Sequence, residues 1–145
     1  MNKLITLLVV LSFVACKAQT YKMDELPQRR ISFGNLGGFA GSYTSYVLLE
    51  NGQLFYISTY EKKELKKVSA FKAKHIFKEA EELIEEGVSL NEKANLTNFI
   101  LFNSGSKDIE WNWAQPVGNS KALSKDLEEI LELNASLIKL IKHTN

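Results

Sequence analysis

Residues 43–60 read YTSYVLLENGQLFYISTY: two runs rich in aromatic and branched side chains, with only Asn51-Gly52 between them. Such runs suit a pleated, half-buried surface. Asn-Gly is the strongest short hairpin signal, because both central positions of a two-residue type I′ turn need positive φ. The expectation is an antiparallel hairpin of residues 43–50 and 53–60, and tight turns of this kind favour antiparallel pairing throughout.

Upstream, Ile31 and Phe33 alternate with Arg30 and Ser32 in the period of a strand. Gly34-Asn35-Leu36-Gly37-Gly38-Phe39-Ala40-Gly41 follows, with four glycines in eight residues. Glycine tolerates left-handed backbone and weakens pairing, so the expectation is a shaped loop or a bulged strand. Downstream, residues 61–67 alternate charge densely and are expected in solvent.

From Ser69, a helix N-cap residue, Ala73, Ile76, Phe77, Ala80, Leu83 and Ile84 recur at spacings of three and four, up to Glu86 and then Gly87. That is one helical stripe with a glycine stop. Acids crowd the end of this helix, where its dipole disfavours them; only the four-residue spacing of Lys78 and Glu82 offsets that. A second strand pair, 96–103 and 107–113, is joined through Ser104-Gly105-Ser106, with Ile109, Trp111 and Trp113 on one face. Pro116 and Gly118 break the chain. Ser120 or Ser124 then caps a last helix that buries Leu123, Leu127, Ile130, Leu131, Leu137, Ile138 and Ile141 and ends near His143. The layout is α+β: an antiparallel sheet of about five strands with two amphipathic helices packed on one face. A doubly wound parallel sheet is excluded, because only one helix joins strands.

The first residues have a different purpose. A lone Lys3 precedes an apolar run from Leu4 to Ala15, too short to span a bilayer, which takes about 20 residues. Charged start, short apolar core and small residue at a cut site make a secretory signal peptide. Phe13-Val14-Ala15-Cys16 resembles the bacterial lipobox, which implies lipidation of Cys16, the sole cysteine. The reading is a signal peptide at 1–15, a lipidated cysteine and tether at 16–28, and a single α+β domain at 29–145, held at the bacterial cell envelope by its membrane anchor. The alternative is cleavage before Gln19, leaving a soluble secreted or periplasmic chain. One cysteine allows no internal disulfide, so the core alone must hold the fold.

Cleavage at Cys16 removes Lys3 and no acid, leaving 17 basic and 17 acidic side chains and no net charge. Nucleic-acid binding, which asks for a basic excess, is not expected. His75 and His143 stand alone, far below what a zinc site uses, so no metal and no cofactor is expected. Ser42, Ser45, Ser104 and Ser106 sit where hydroxyls commonly serve the backbone. No Gly-x-Ser-x-Gly elbow or phosphate loop is present. Glu81, Glu82, Glu85, Glu86, Glu128, Glu129 and Glu132 read as solvated helix faces. No catalytic residue is assigned; an enzyme would need distant groups brought into a pocket, such as His75 with a carboxylate. Trp111 and Trp113 are expected in the core, with an open aromatic binding face as the alternative.

Ile31-Ser32-Phe33 followed by Gly37-Gly38-Phe39-Ala40-Gly41 resembles the opening of emfourin, a small proteinaceous inhibitor of thermolysin-like metalloproteases. The order of helix, strand pair and terminal helix is also similar. The resemblance implies an α+β inhibitor that blocks a protease by surface contact. The expected function is a non-enzymatic envelope lipoprotein that binds a protein partner through Gly37, Gly38, Phe39, Gly41, Tyr43 and Tyr46. Inhibition of a secreted thermolysin-like metalloprotease is the second expectation.

Overall fold

The computed structural model describes residues 19–114 and 124–142. The chain passes from a single 3-10 turn (Met23–Glu25) into β1 (Arg30–Gly37), β2 (Ser42–Leu48), β3 (Leu54–Ser58), β4 (Lys62–Glu64), α1 (Ala70–Glu85), β5 (Leu96–Asn103), β6 (Asp108–Ala114) and α2 (Lys125–Lys142). The strands form one six-stranded sheet in the order β4-β3-β2-β1-β5-β6. Every named pair is antiparallel. Cys16 and the whole leader lie outside the described residues, as do Pro116, Gly118, Ser120, Leu123 and His143.

The hairpin of β2 and β3 stands where residues 43–60 place it, but its turn is not type I′. The Leu49 N–H donates to Gln53 O at 2.9 Å and the Gly52 N–H to Leu49 O at 2.9 Å. Among the described residues no non-glycine has positive φ, and Gly52 alone in this turn does, at +87°. This is a three-residue loop, Glu50-Asn51-Gly52, that needs one left-handed position where type I′ needs two. Leu49 is thereby paired, and its side chain is buried.

One face of the sheet carries the main core. Ile31 and Phe33 of β1, Leu48, Leu54, Ile100, Phe102, Trp111 and Trp113 pack in one cluster with Ala73, Ile76, Phe77 and Ala80 of α1 and Leu127, Ile130, Leu133, Leu137, Leu140 and Ile141 of α2. Both helices therefore cover the same face, although Ile138, expected on the buried side of the last helix, is exposed, while Leu133 and Leu140 are buried. The helix ends follow local signals: the Ser69 Oγ accepts from the Lys72 N–H, Gly87 turns the chain at φ +76°, and the Ser124 Oγ accepts from the Leu127 N–H at 3.2 Å. Trp111 and Trp113 are core, and the Trp111 indole N–H donates to Val88 O at 2.9 Å, so its one polar atom is satisfied. Beyond it the Asn112 N–H donates to Leu90 O and the Glu92 N–H to Asn112 O, which closes the β6 edge of the sheet.

Two further features depart from the sequence reading. Lys62–Glu64, expected as solvated charge, is exposed yet pairs with β3 as an edge strand, which makes the sheet six-stranded. Charge on such an edge discourages further pairing. The second departure concerns the tether. Its described part, residues 19–28, is laid on the other face of the sheet, where Tyr21, Met23 and Leu26 cover Val47, Leu49 and Phe55. The Gln53 side chain grips the Tyr21 backbone like a neighbouring strand, accepting from its N–H at 2.8 Å and donating to its C=O at 3.0 Å. Asn51 Nδ2 donates to Gln19 O at 2.7 Å. Where this strap meets β1, Arg29 pairs with Glu50 at 3.1 Å and Glu81 at 2.8 Å and lies over the rings of Phe77 and Phe102. That one guanidinium ties the strap, the β2–β3 turn, α1 and β5 together.

Candidate functional site

The glycine stretch does not stop pairing. β1 stays in register with β2 and β5 through Gly37, which faces Ser42 on one side and Leu96 on the other. Gly34 permits it, since a Cβ there would run into the carbonyl of Thr44. Only residues 38–41 leave the sheet, as the tip of the β1–β2 hairpin. The Gly41 N–H donates to Gly38 O at 3.0 Å, the Gly38 N–H to Asn95 O at 2.7 Å and the Ser42 Oγ to Gly37 O at 3.1 Å. Gly37, Gly38 and Gly41 hold φ of +104°, +77° and +58°. A fixed left-handed turn thus lifts Phe39 clear of the domain, and its ring is fully exposed. Leaving a Phe in water forgoes about 2 kcal/mol of burial.

Behind the tip, Leu36 and Tyr43 are cross-strand partners and share the face opposite the helices. Each keeps roughly two-fifths of its surface, 37% and 41%. Tyr43 stacks on Phe99 at 6.0 Å with 12° between the rings, and its backbone exchanges two 3.3 Å hydrogen bonds with Thr59. Phe39, Leu36 and Tyr43 therefore form an apolar tip on a doubly paired strand. Leu36 and Phe99 do not figure among the expected contact residues. The period of two, carried from Ser32 through Gly34, puts Leu36 on the face opposite Phe33 and is the signal that would find it.

Tyr46 is not with them. Three positions after Tyr43 on a strand, it faces the helices, where it stacks on Phe33 at 5.5 Å and leans on Tyr56 at 5.3 Å. Burial pushes its phenol above the usual tyrosine range, Tyr56 adding to the shift and Lys63 opposing it. With Tyr56, Glu61, Lys63 and Leu65 it lines a separate hollow of about 210 Å³.

His75 Nε2 lies 3.2 Å from Glu79 Oε1 on the exposed side of α1, and Lys78 pairs with Glu82 at 3.1 Å. A hollow of about 280 Å³ between the helices is lined by Glu79, Glu82, Glu86, Glu129 and Glu132. Among the described residues no three His, Cys, Asp or Glu side chains are placed to hold a metal ion. Of the serines expected to serve the backbone, Ser42 and Ser104 do, donating to Gly37 O and Lys107 O. Ser45 does not: its hydroxyl is buried without a hydrogen-bond partner. No helix among the described residues is long and apolar enough to cross a membrane. No family model and no curated protein matches the chain.

Proposed function

We propose that this chain is a lipid-anchored protein of the bacterial cell envelope that works by contact, meeting a protein partner with the β1–β2 hairpin tip. The observation that carries the reading is Phe39: a large apolar ring held away from the core by Gly38 and Gly41, beside the half-exposed Leu36 and Tyr43. Aromatic side chains fixed in this way are the usual anchors of protein interfaces. The contact set becomes Gly37, Gly38, Phe39, Gly41 and Tyr43, with Leu36 added; Tyr46 belongs to the opposite face.

A photo-crosslinking side chain at position 39, in the full chain made in cells, is expected to give one discrete protein adduct. The same group at Lys139, exposed on α2 on the other face of the sheet, should give none. An adduct pattern alike at both positions, or none at position 39, would sink the reading. The anchor is read separately, since palmitate label should enter through Cys16 and be absent from the Cys16→Ala chain.

The second reading, inhibition of a secreted thermolysin-like metalloprotease, is favoured by one placement. Residues 31–41, which carry the resemblance to emfourin, make up all of β1 but Arg30 and the whole of the exposed tip. Stoichiometric inhibition that Gly38→Ala or Phe39→Ala weakens would support it, and no inhibition at micromolar protein would remove it.

A further inference from the structure

The end of the domain opposite the hairpin tip carries an exposed basic and aromatic surface. Lys66, Lys67, Lys72 and Lys74 are all exposed, and Phe71 keeps 83% of its surface. None of these lysines joins the ion pairs found among the described residues. Two carboxylates close by in the fold are occupied elsewhere, Glu50 by Arg29 and Glu64 by the Gln53 amide. Lys72 and Lys74 also sit in the first turns of α1, where the helix dipole works against a cation, so helix stability does not account for them.

The location of this surface gives it a meaning. The Val68 N–H donates to Gly52 O at 2.9 Å, and Asn51 holds Gln19 O. Residues 66–74 therefore lie at the point where the leader joins the domain, and with only Lys17 and Ala18 between them Cys16 and Gln19 are three Cα–Cα steps apart. Even fully extended they reach only about 10 Å. β1, eight residues long, separates this end from the tip by about 26 Å.

We propose that Lys66, Lys67, Phe71, Lys72 and Lys74 form a membrane-facing surface that rests on anionic phospholipid headgroups, with Phe71 at the level of the acyl boundary. The strap leaves no slack for the domain to swing away, and Phe39 is presented to the aqueous side. The strength of attachment and the nearness of this face to the membrane rest on the proposed Cys16 anchor; the lysines and Phe71 supply the contact itself. Each lysine near an anionic surface contributes about fivefold in affinity, and a juxtaposed aromatic ring suits the interface.

The test takes the full chain as cells make it, with its N-terminus defined by intact mass, and mixes it with vesicles of phosphatidylcholine alone or with phosphatidylglycerol added. An amine-acylating reagent then reads each lysine. Lys66, Lys67, Lys72 and Lys74 should lose reactivity severalfold when phosphatidylglycerol is present, while Lys93 near the tip and Lys139 on α2 keep theirs. The triple variant Lys66→Glu, Lys67→Glu, Phe71→Ser, all at exposed positions, should restore reactivity at Lys72 and Lys74. Uniform protection, or protection strongest at Lys93, overturns the proposed face. A mass that begins at Gln19 without acyl groups removes the anchor alone; the face then requires salt-sensitive co-sedimentation with the phosphatidylglycerol vesicles, and its absence overturns the proposal.

Discussion

β2 is bounded by two glycine-containing turns that do opposite things. At the β2–β3 turn the backbone is crowded: Gly52 has positive φ, its Cβ would run into the Val68 carbonyl, and its own C=O accepts from Val68. At the β1–β2 tip Gly38 and Gly41 also have positive φ, yet a Cβ on either would meet nothing. The first turn is a joint, gripping strap, helix and sheet at once. The second reaches outside its own hairpin only through the Gly38 N–H on Asn95 O, and the side chain it displays faces water. Positive φ alone therefore does not tell a structural glycine from one that shapes a surface; the space around the missing Cβ does.

The strongest challenge to that contrast is a matched pair of substitutions. Gly52→Ala should cost about 3 kcal/mol or more in urea unfolding, since strain and a backbone clash combine. Gly38→Ala, with strain alone, should cost about 1 kcal/mol; equal losses would erase the distinction. Next in size, Gln53→Ala takes away both hydrogen bonds to the Tyr21 backbone and should cost about 2 kcal/mol. Amide exchange at Tyr21 should quicken while Ile100, buried on β5 between β1 and β6, stays protected.

At the tip the expected effect on stability nearly vanishes. Phe39→Ala should leave unfolding within about 0.5 kcal/mol of the parent while removing the inhibition or the partner contact, a separation the joint cannot show. Smallest is a pH effect on the other face. The Tyr46 phenol is held above its ordinary 10.0, chiefly by burial. The folded chain thus keeps a proton that the unfolded chain releases. Stability should be fully present below pH 10 and fall as pH rises above it, and Tyr46→Phe should flatten that decline in alkaline unfolding curves.

The elements most legible in the sequence are those whose signals are local. Ser69 and Gly87 bracket α1 because capping and left-handed termination involve neighbouring residues. β5 occupies the expected residues 96–103. Even the opposition of Tyr43 and Tyr46 follows from an odd spacing on one strand, although both belong to the expected contact set. What the sequence does not display is pairing between groups far apart in the chain. Lys62–Glu64 has no apolar face to mark it as a strand, and becomes one because β3 offers an open edge. Tyr21, Met23 and Leu26 follow no period, and their place depends on Gln53, 32 residues beyond Tyr21.

By itself the sequence determined the α+β class, the β2–β3 hairpin and the ends and apolar stripe of α1, since each depends on backbone preference and side-chain period over a few residues. Only the tertiary structure decided that the strap lies on the sheet, that the two tryptophans are core and that Phe39 stands free. The physical reason is that burial and hydrogen-bond satisfaction are properties of the surroundings, and those surroundings are assembled from segments that no local pattern brings together.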